Sequence, residues 1–135
     1  MTPAPVLTTH SLLAVGFAIP LLFAPADFLW LYGASPDDYG IYVARLFGTA
    51  LVAISIVTRL AREAPEGLAL DALCIGLSVG CMIGFVVSAH HQLTYPSAGP
   101  LGWTTVGVFA GLAAAYGALW LGREARRAPG GLQAG

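Results

Sequence analysis

The chain has no lysine, and its six basic residues are all arginine. Charged residues fill only 10% of its 135 positions, against about 25% in an ordinary soluble domain. A polar inventory this thin cannot coat a water-soluble fold of such length. Hydrophobic residues make up 57% of the chain and the mean hydropathy is +0.76. The charge deficit is spread along the chain, so nearly every long segment needs an apolar solvent, and lipid is the simplest one. A formal net charge of −1 excludes a nucleic-acid footprint, because there is no basic face to neutralise phosphates.

Groups that bind metals or do chemistry are also scarce. Cys74 and Cys81 lie in one apolar run. On a helix they share a face but stand about 10 Å apart along the axis. A disulfide tolerates Cα separations of at most about 7 Å, and the spacing is equally wrong for a shared zinc ion. Buried, inert thiols are expected. His90 and His91 are adjacent and point about 100° apart on a helix, while His10 falls on the opposite membrane face. No metal site is expected, and no histidine is placed for haem at mid-depth. No Ser–His–Asp or paired-carboxylate arrangement can be assembled within the membrane. No catalytic residue and no cofactor is expected, and a non-enzymatic role is expected.

What the chain does have is four apolar windows, at about residues 6–24, 39–60, 68–88 and 101–121. Crossing a hydrocarbon core of about 30 Å takes about 20 helical residues. A cleaved signal peptide would start with positive charge, but residues 1–26 contain no lysine or arginine, so the first window reads as a retained span. Pro20 is expected to kink it and Pro25 to end it. No segment of about ten residues alternates as a barrel strand would. The expected fold is all-α, an integral membrane antiparallel four-helix bundle. It forms a single domain over residues 1–127, followed by a flexible C-terminal tail at 128–135. The short second and third connectors imply antiparallel neighbours. The first connector contains "DFLWLYG", which reads as a short interfacial helix with Phe28, Leu29 and Trp30 dipping inward, or else as a continuation of the first span beyond a kink.

Arg59 and Arg62 flank the second connector, and Arg123, Arg126 and Arg127 follow the fourth window. Positive residues mark the cytoplasmic side, so both termini are expected on the cytoplasmic side of the membrane. Trp30, Tyr32, Tyr39, Tyr42 and Trp103 then form an outer aromatic belt. Arg45 is the only charged residue between Ile41 and Thr58, about 9 Å below the outer end of its helix at 1.5 Å per residue. It can snorkel to the interface, pair with Asp27, Asp37 or Asp38, or hold an anionic headgroup or small acidic ligand. His90 and His91 lie on the same side. The candidate ligand-binding set is therefore Arg45, Asp27, Asp37, Asp38, His90 and His91.

Glycines mark the packing faces. Gly76, Gly80 and Gly84 repeat every four residues, Gly107 and Gly111 repeat the spacing in the fourth span, and Gly48 follows Arg45 by three. Such stripes let helix backbones approach closely. On the other face of the third span, Asp71, Cys74, Ser78, Cys81, Phe85 and Ser88 read as a line facing the bundle interior. Asp71 suits a helix N-terminus, with Arg59 or Arg62 as its expected partner.

The proline-ended first span, the "LWLYG" connector and "G-x-Y-V-A-R-L-F-G" opening the second span resemble a group of short, uncharacterised four-helix bacterial inner-membrane proteins. That resemblance implies a location and no activity. Arg45, Phe47 and Gly48 near a helix start are also similar to the ergosterol-biosynthesis scaffold family, which implies tethering of membrane enzymes without catalysis. The layout shares four passes with the membrane glutathione-transferase group. That group carries polar Asn and Glu downstream of its arginine, and "LFGTALVAIS" has neither. The expected function is a non-catalytic scaffold or accessory subunit packing through glycine faces. The alternative is an outer-leaflet lipid or small-anion binder or enzyme centred on Arg45. The partners this suits are membrane lipids and a membrane protein or second copy of the chain.

Overall fold

A computed structural model describes residues 3–95 and 99–127; the predicted tail at 128–135 lies outside the described residues. The elements are α1 (Ala4–Phe23), α2 (Pro25–Trp30), α3 (Asp38–Ala61), α4 (Leu68–Thr94) and α5 (Leu101–Arg127), with no strand among the described residues. Four of these helices are long and apolar enough to cross a membrane. The chain is a multi-pass helical membrane protein.

The ends of the helices follow from local chemistry. Ala24 leaves the helical region after α1, and Pro25 opens α2 at the position where a missing N–H costs nothing. The first half of "DFLWLYG" thus belongs to a separate short helix, and its "LYG" forms the turn that follows. Phe28 and Leu29 are half-buried, whereas Trp30 turns outward at 70% exposure. Gly33, at φ 78°, closes the turn after α2 in the left-handed region that suits glycine. Asp37 caps α3, its Oδ1 accepting from the Gly40 N–H at 2.8 Å. α4 runs past its apolar window to Thr94, and Tyr95, which precedes a proline, is extended.

Packing proceeds by pairs. α1 lies along α3 and α4 along α5, while α1 and α5 join the two pairs. Residues 62–67 between α3 and α4 therefore connect the pairs and do not form one, although the short second connector implied close neighbours. In the first pair, Ser11 Oγ donates to the Ser55 carbonyl at 3.0 Å and Ser55 Oγ donates back to the Ser11 carbonyl at 3.1 Å. Further along, Gly48 is buried so tightly that an added Cβ would meet Leu22 Cγ at 3.0 Å and Leu21 Cβ at 3.2 Å. In the second pair, Asp71 faces Arg123, a Gly84 Cβ would press on the Phe109 ring, and Gln92 bonds the Gly99 carbonyl. Both sets run in opposite chain directions, so each pair is antiparallel.

The main core joins Leu7 of α1 to Leu70, Cys74 and Cys81 of α4 and to Leu112, Ala113, Tyr116 and Leu119 of α5, with Ala61 of α3 against it. Most of these residues lie in the half of the bundle formed by the start of α1 and the end of α5. Both cysteines are free and buried, as their spacing predicts.

Gly48→Leu should overpack the α1–α3 contact, lowering stability by about 1–3 kcal/mol. Gly76, with nothing within 4 Å of its Cβ position, should accept leucine without loss. Thermal unfolding of the two purified variants in detergent checks the contrast.

Candidate functional site

The predicted outer cluster does not assemble into a contact network. Arg45 is exposed, and among the described residues no ion pair reaches it; its carbonyl accepts from Thr49 Oγ1. Asp27, Asp38, His90 and His91 are exposed as well. Asp37 spends its carboxylate on the α3 cap, and His91 stacks near Tyr95 with ring centroids 4.8 Å apart. Among the described residues no group of His, Cys, Asp and Glu is arranged to hold a metal ion.

The glycines divide into two kinds. Gly48 and Gly84 hold helices within the chain, Gly48 against α1 and Gly84 against the Phe109 ring. Gly76, Gly80, Gly107 and Gly111 lie exposed, with nothing near their Cβ positions. The opposite side of α4 behaves as the spacing predicts, with Asp71, Cys74 and Cys81 buried and Ser78, Phe85 and Ser88 half-buried.

Two polar contacts that the sequence did not reveal occupy the interior. The first is an ion pair between Asp71, three residues into α4, and Arg123, near the end of α5. Arg123 is only 6% exposed, and Glu66 approaches its Nη2 at 3.9 Å. The predicted partners of Asp71 were Arg59 or Arg62, but Arg62 pairs with Glu63 at 2.7 Å. The cause is the pairing of α4 with α5, which turns the Asp71 face towards Arg123. Two carboxylates around one guanidinium make this a structural clamp and a poor anion site.

The second contact joins His10 of α1 to Tyr116 of α5, Nδ1 to hydroxyl at 3.0 Å. Tyr116 is fully buried and His10 is 8% exposed. His10 also lines a crevice of about 230 Å³. Its back wall is α1, through Ala14, Phe17 and Leu21; its sides are Phe47 and Leu51 of α3 and Val108, Phe109 and Leu112 of α5. α2 roofs it with Phe28 and Leu29, next to Tyr32. Tyr32 OH and Thr105 Oγ1 bond each other at 2.9 Å, and the Gly99 N–H donates to the Tyr32 carbonyl at 2.7 Å, which ties the roof to α5. Phe28 meets Phe17 and Tyr32 edge-on at 6.0 and 5.4 Å between ring centroids. Spacing alone could not single out His10, because pairing it with Tyr116 depends on which helices meet.

Comparison with protein-family models, with curated proteins and with solved structures gives no match.

Removing Arg123 takes the buried ion-pair partner from Asp71. Arg123→Met is expected to cost about 3–5 kcal/mol, and Asp71→Leu with Arg123→Met should recover much of it. Yield and thermal unfolding of the single and double variants provide the measurement.

Proposed function

We propose that the protein is a non-catalytic membrane component, a scaffold or accessory subunit, which works by seating a further transmembrane helix on its glycine-lined surface. The observation that carries this reading is a groove of about 320 Å³ between α1 and α5. Gly107, Gly111 and Ala115 lie on its α5 side, and Pro5, Val6, Thr9 and Leu13 on its α1 side. Bare backbone at a glycine stripe lets a partner helix come close, and van der Waals packing of this kind drives association where lipid supplies no hydrophobic force. Gly76 and Gly80 offer a second open stripe on α4. A membrane-protein partner or a second copy of the chain would suit these faces.

The setting we infer is the bacterial cytoplasmic membrane with both termini in the cytoplasm. The arginine bias supports this orientation: Arg59 and Arg62 lie at the end of α3, and Arg123, Arg126 and Arg127 in the last turns of α5. Trp30, Tyr39, Tyr42 and Trp103 are exposed towards the other end, where an interfacial belt belongs.

Gly107→Leu combined with Gly111→Leu should abolish association while leaving the monomer folded. Cross-linking in native membranes, with two differently tagged copies, separates self-association from capture of another protein. Unchanged cross-linking in the double variant contradicts the reading. An alternative is that Arg45 holds an anionic headgroup, favoured by its exposed guanidinium with no carboxylate partner among the described residues. Loss of copurifying anionic phospholipid in Arg45→Gln, with association intact, would select that alternative.

A further inference from the structure

We infer that the crevice between α1, α3 and α5 is a binding site for a membrane-soluble, mainly apolar molecule carrying one hydrogen-bond-accepting oxygen, which His10 Nε2 receives. The inference does not depend on the glycine-lined groove of α1 and α5.

It begins with the proton between His10 and Tyr116. Tyr116 is wholly enclosed, and its hydroxyl has one hydrogen-bonding neighbour among the described residues, His10 Nδ1. A phenol proton away from water needs an acceptor, so the O–H donates to Nδ1. The neutral imidazole then carries its own proton on Nε2. That N–H has no acceptor among the described residues, on a ring more than nine-tenths buried that lines the crevice. Nε2 is not among the enclosed unpaired atoms of the described residues, so it opens on the crevice; lipid there offers no acceptor, and an oxygen brought by a ligand satisfies it.

The remaining walls say what the rest of the ligand is. Tyr32 and Thr105, the other hydroxyl-bearing residues along the crevice, bond each other. Phe17, Phe28, Phe47 and Phe109 supply aromatic surface. A dry apolar cavity of about 150 Å³ accommodates benzene, so about 230 Å³ admits a substituted ring or a short branched chain. From His10 to Leu21 the site extends about 16 Å along α1, at 1.5 Å per residue. α3 and α5 flank it without close backbone packing on each other, and Phe47 on the α3 side is half exposed. A longer tail can therefore leave sideways into lipid.

One accepting oxygen on an apolar body describes both a ring carbonyl, as in a lipid-soluble quinone, and a hydroxyl, as in an isoprenoid alcohol. The test uses purified full-length protein in nanodiscs, titrated separately with a short-tailed isoprenyl benzoquinone and with farnesol. Saturable one-to-one binding of the quinone alone assigns a carbonyl, and binding of farnesol assigns a hydroxyl; either supports the site. His10→Phe, which keeps a ring but removes the donor, should weaken binding about tenfold, the size of one well-sheltered hydrogen bond. Leu51→Trp should abolish binding by filling the crevice. A readout on the unaltered chain guards against misfolded variants: the His10 Nε2–H resonance should shift on adding the bound probe. Non-saturable partitioning of both probes, equal affinity in His10→Phe, or an unmoved Nε2–H signal overturns the inference.

Discussion

Hydrocarbon offers no hydrogen bonds, so a polar side chain inside the bilayer is costly unless a partner is supplied within the protein or by what it binds. That constraint organises this structure. Ser11 and Ser55 satisfy each other's carbonyls, Thr58 Oγ1 returns to the Ile54 carbonyl, and Ser88 Oγ returns to that of Gly84. His10 takes Tyr116, and Asp71 takes Arg123. Because lipid tails are as apolar as leucine, packing alone gives helices little directional preference. The contacts between helices, Ser11–Ser55, Asp71–Arg123 and His10–Tyr116, therefore act as pins that select α1 with α3, α4 with α5, and α1 with α5.

Where the pins fall determines the shape. Ser11–Ser55, His10–Tyr116 and Asp71–Arg123 all lie in the half of the bundle that bears the chain ends, with the core of Leu7, Leu70, Cys74 and Leu119. Towards the other end the described ties to α5 run through the turn after α2, from Tyr32 to Thr105 and Gly99, and α2 roofs the space between α3 and α5. The crevice and its buried imidazole follow from that asymmetry.

The spans were legible because hydropathy over about 20 residues reports directly on the solvent a helix needs. The interior face of α4 was legible for a similar reason, since Asp71, Cys74 and Cys81 recur at helical spacing. The short helix at "DFLWLYG" could be read from its bracketing Pro25 and Gly33. Partner choice was not readable. Asp71 has several arginines at its membrane level, and only the pairing of α4 with α5 selects Arg123. Likewise His10 is one histidine in an apolar stretch until α1 meets α5. Arg45 drew attention as the lone charge in its span, yet it lies exposed, while Arg123 at the edge of an apolar window is buried. Hydropathy ranks charges by depth along one helix, whereas burial is decided by neighbouring helices.

The central claim is that α4 crosses lipid with one face pinned to the bundle and the other bare. The most direct measurement is a nitroxide scan along α4 in bilayers, comparing relaxation by oxygen with relaxation by a water-soluble nickel complex. Oxygen accessibility should be high at Gly76, Val79 and Ile83, which are exposed, and low at Cys74 and Cys81, which are buried, with the nickel reagent excluded from all five. Nickel relaxation throughout the helix, or equal oxygen accessibility on both faces, would contradict the account.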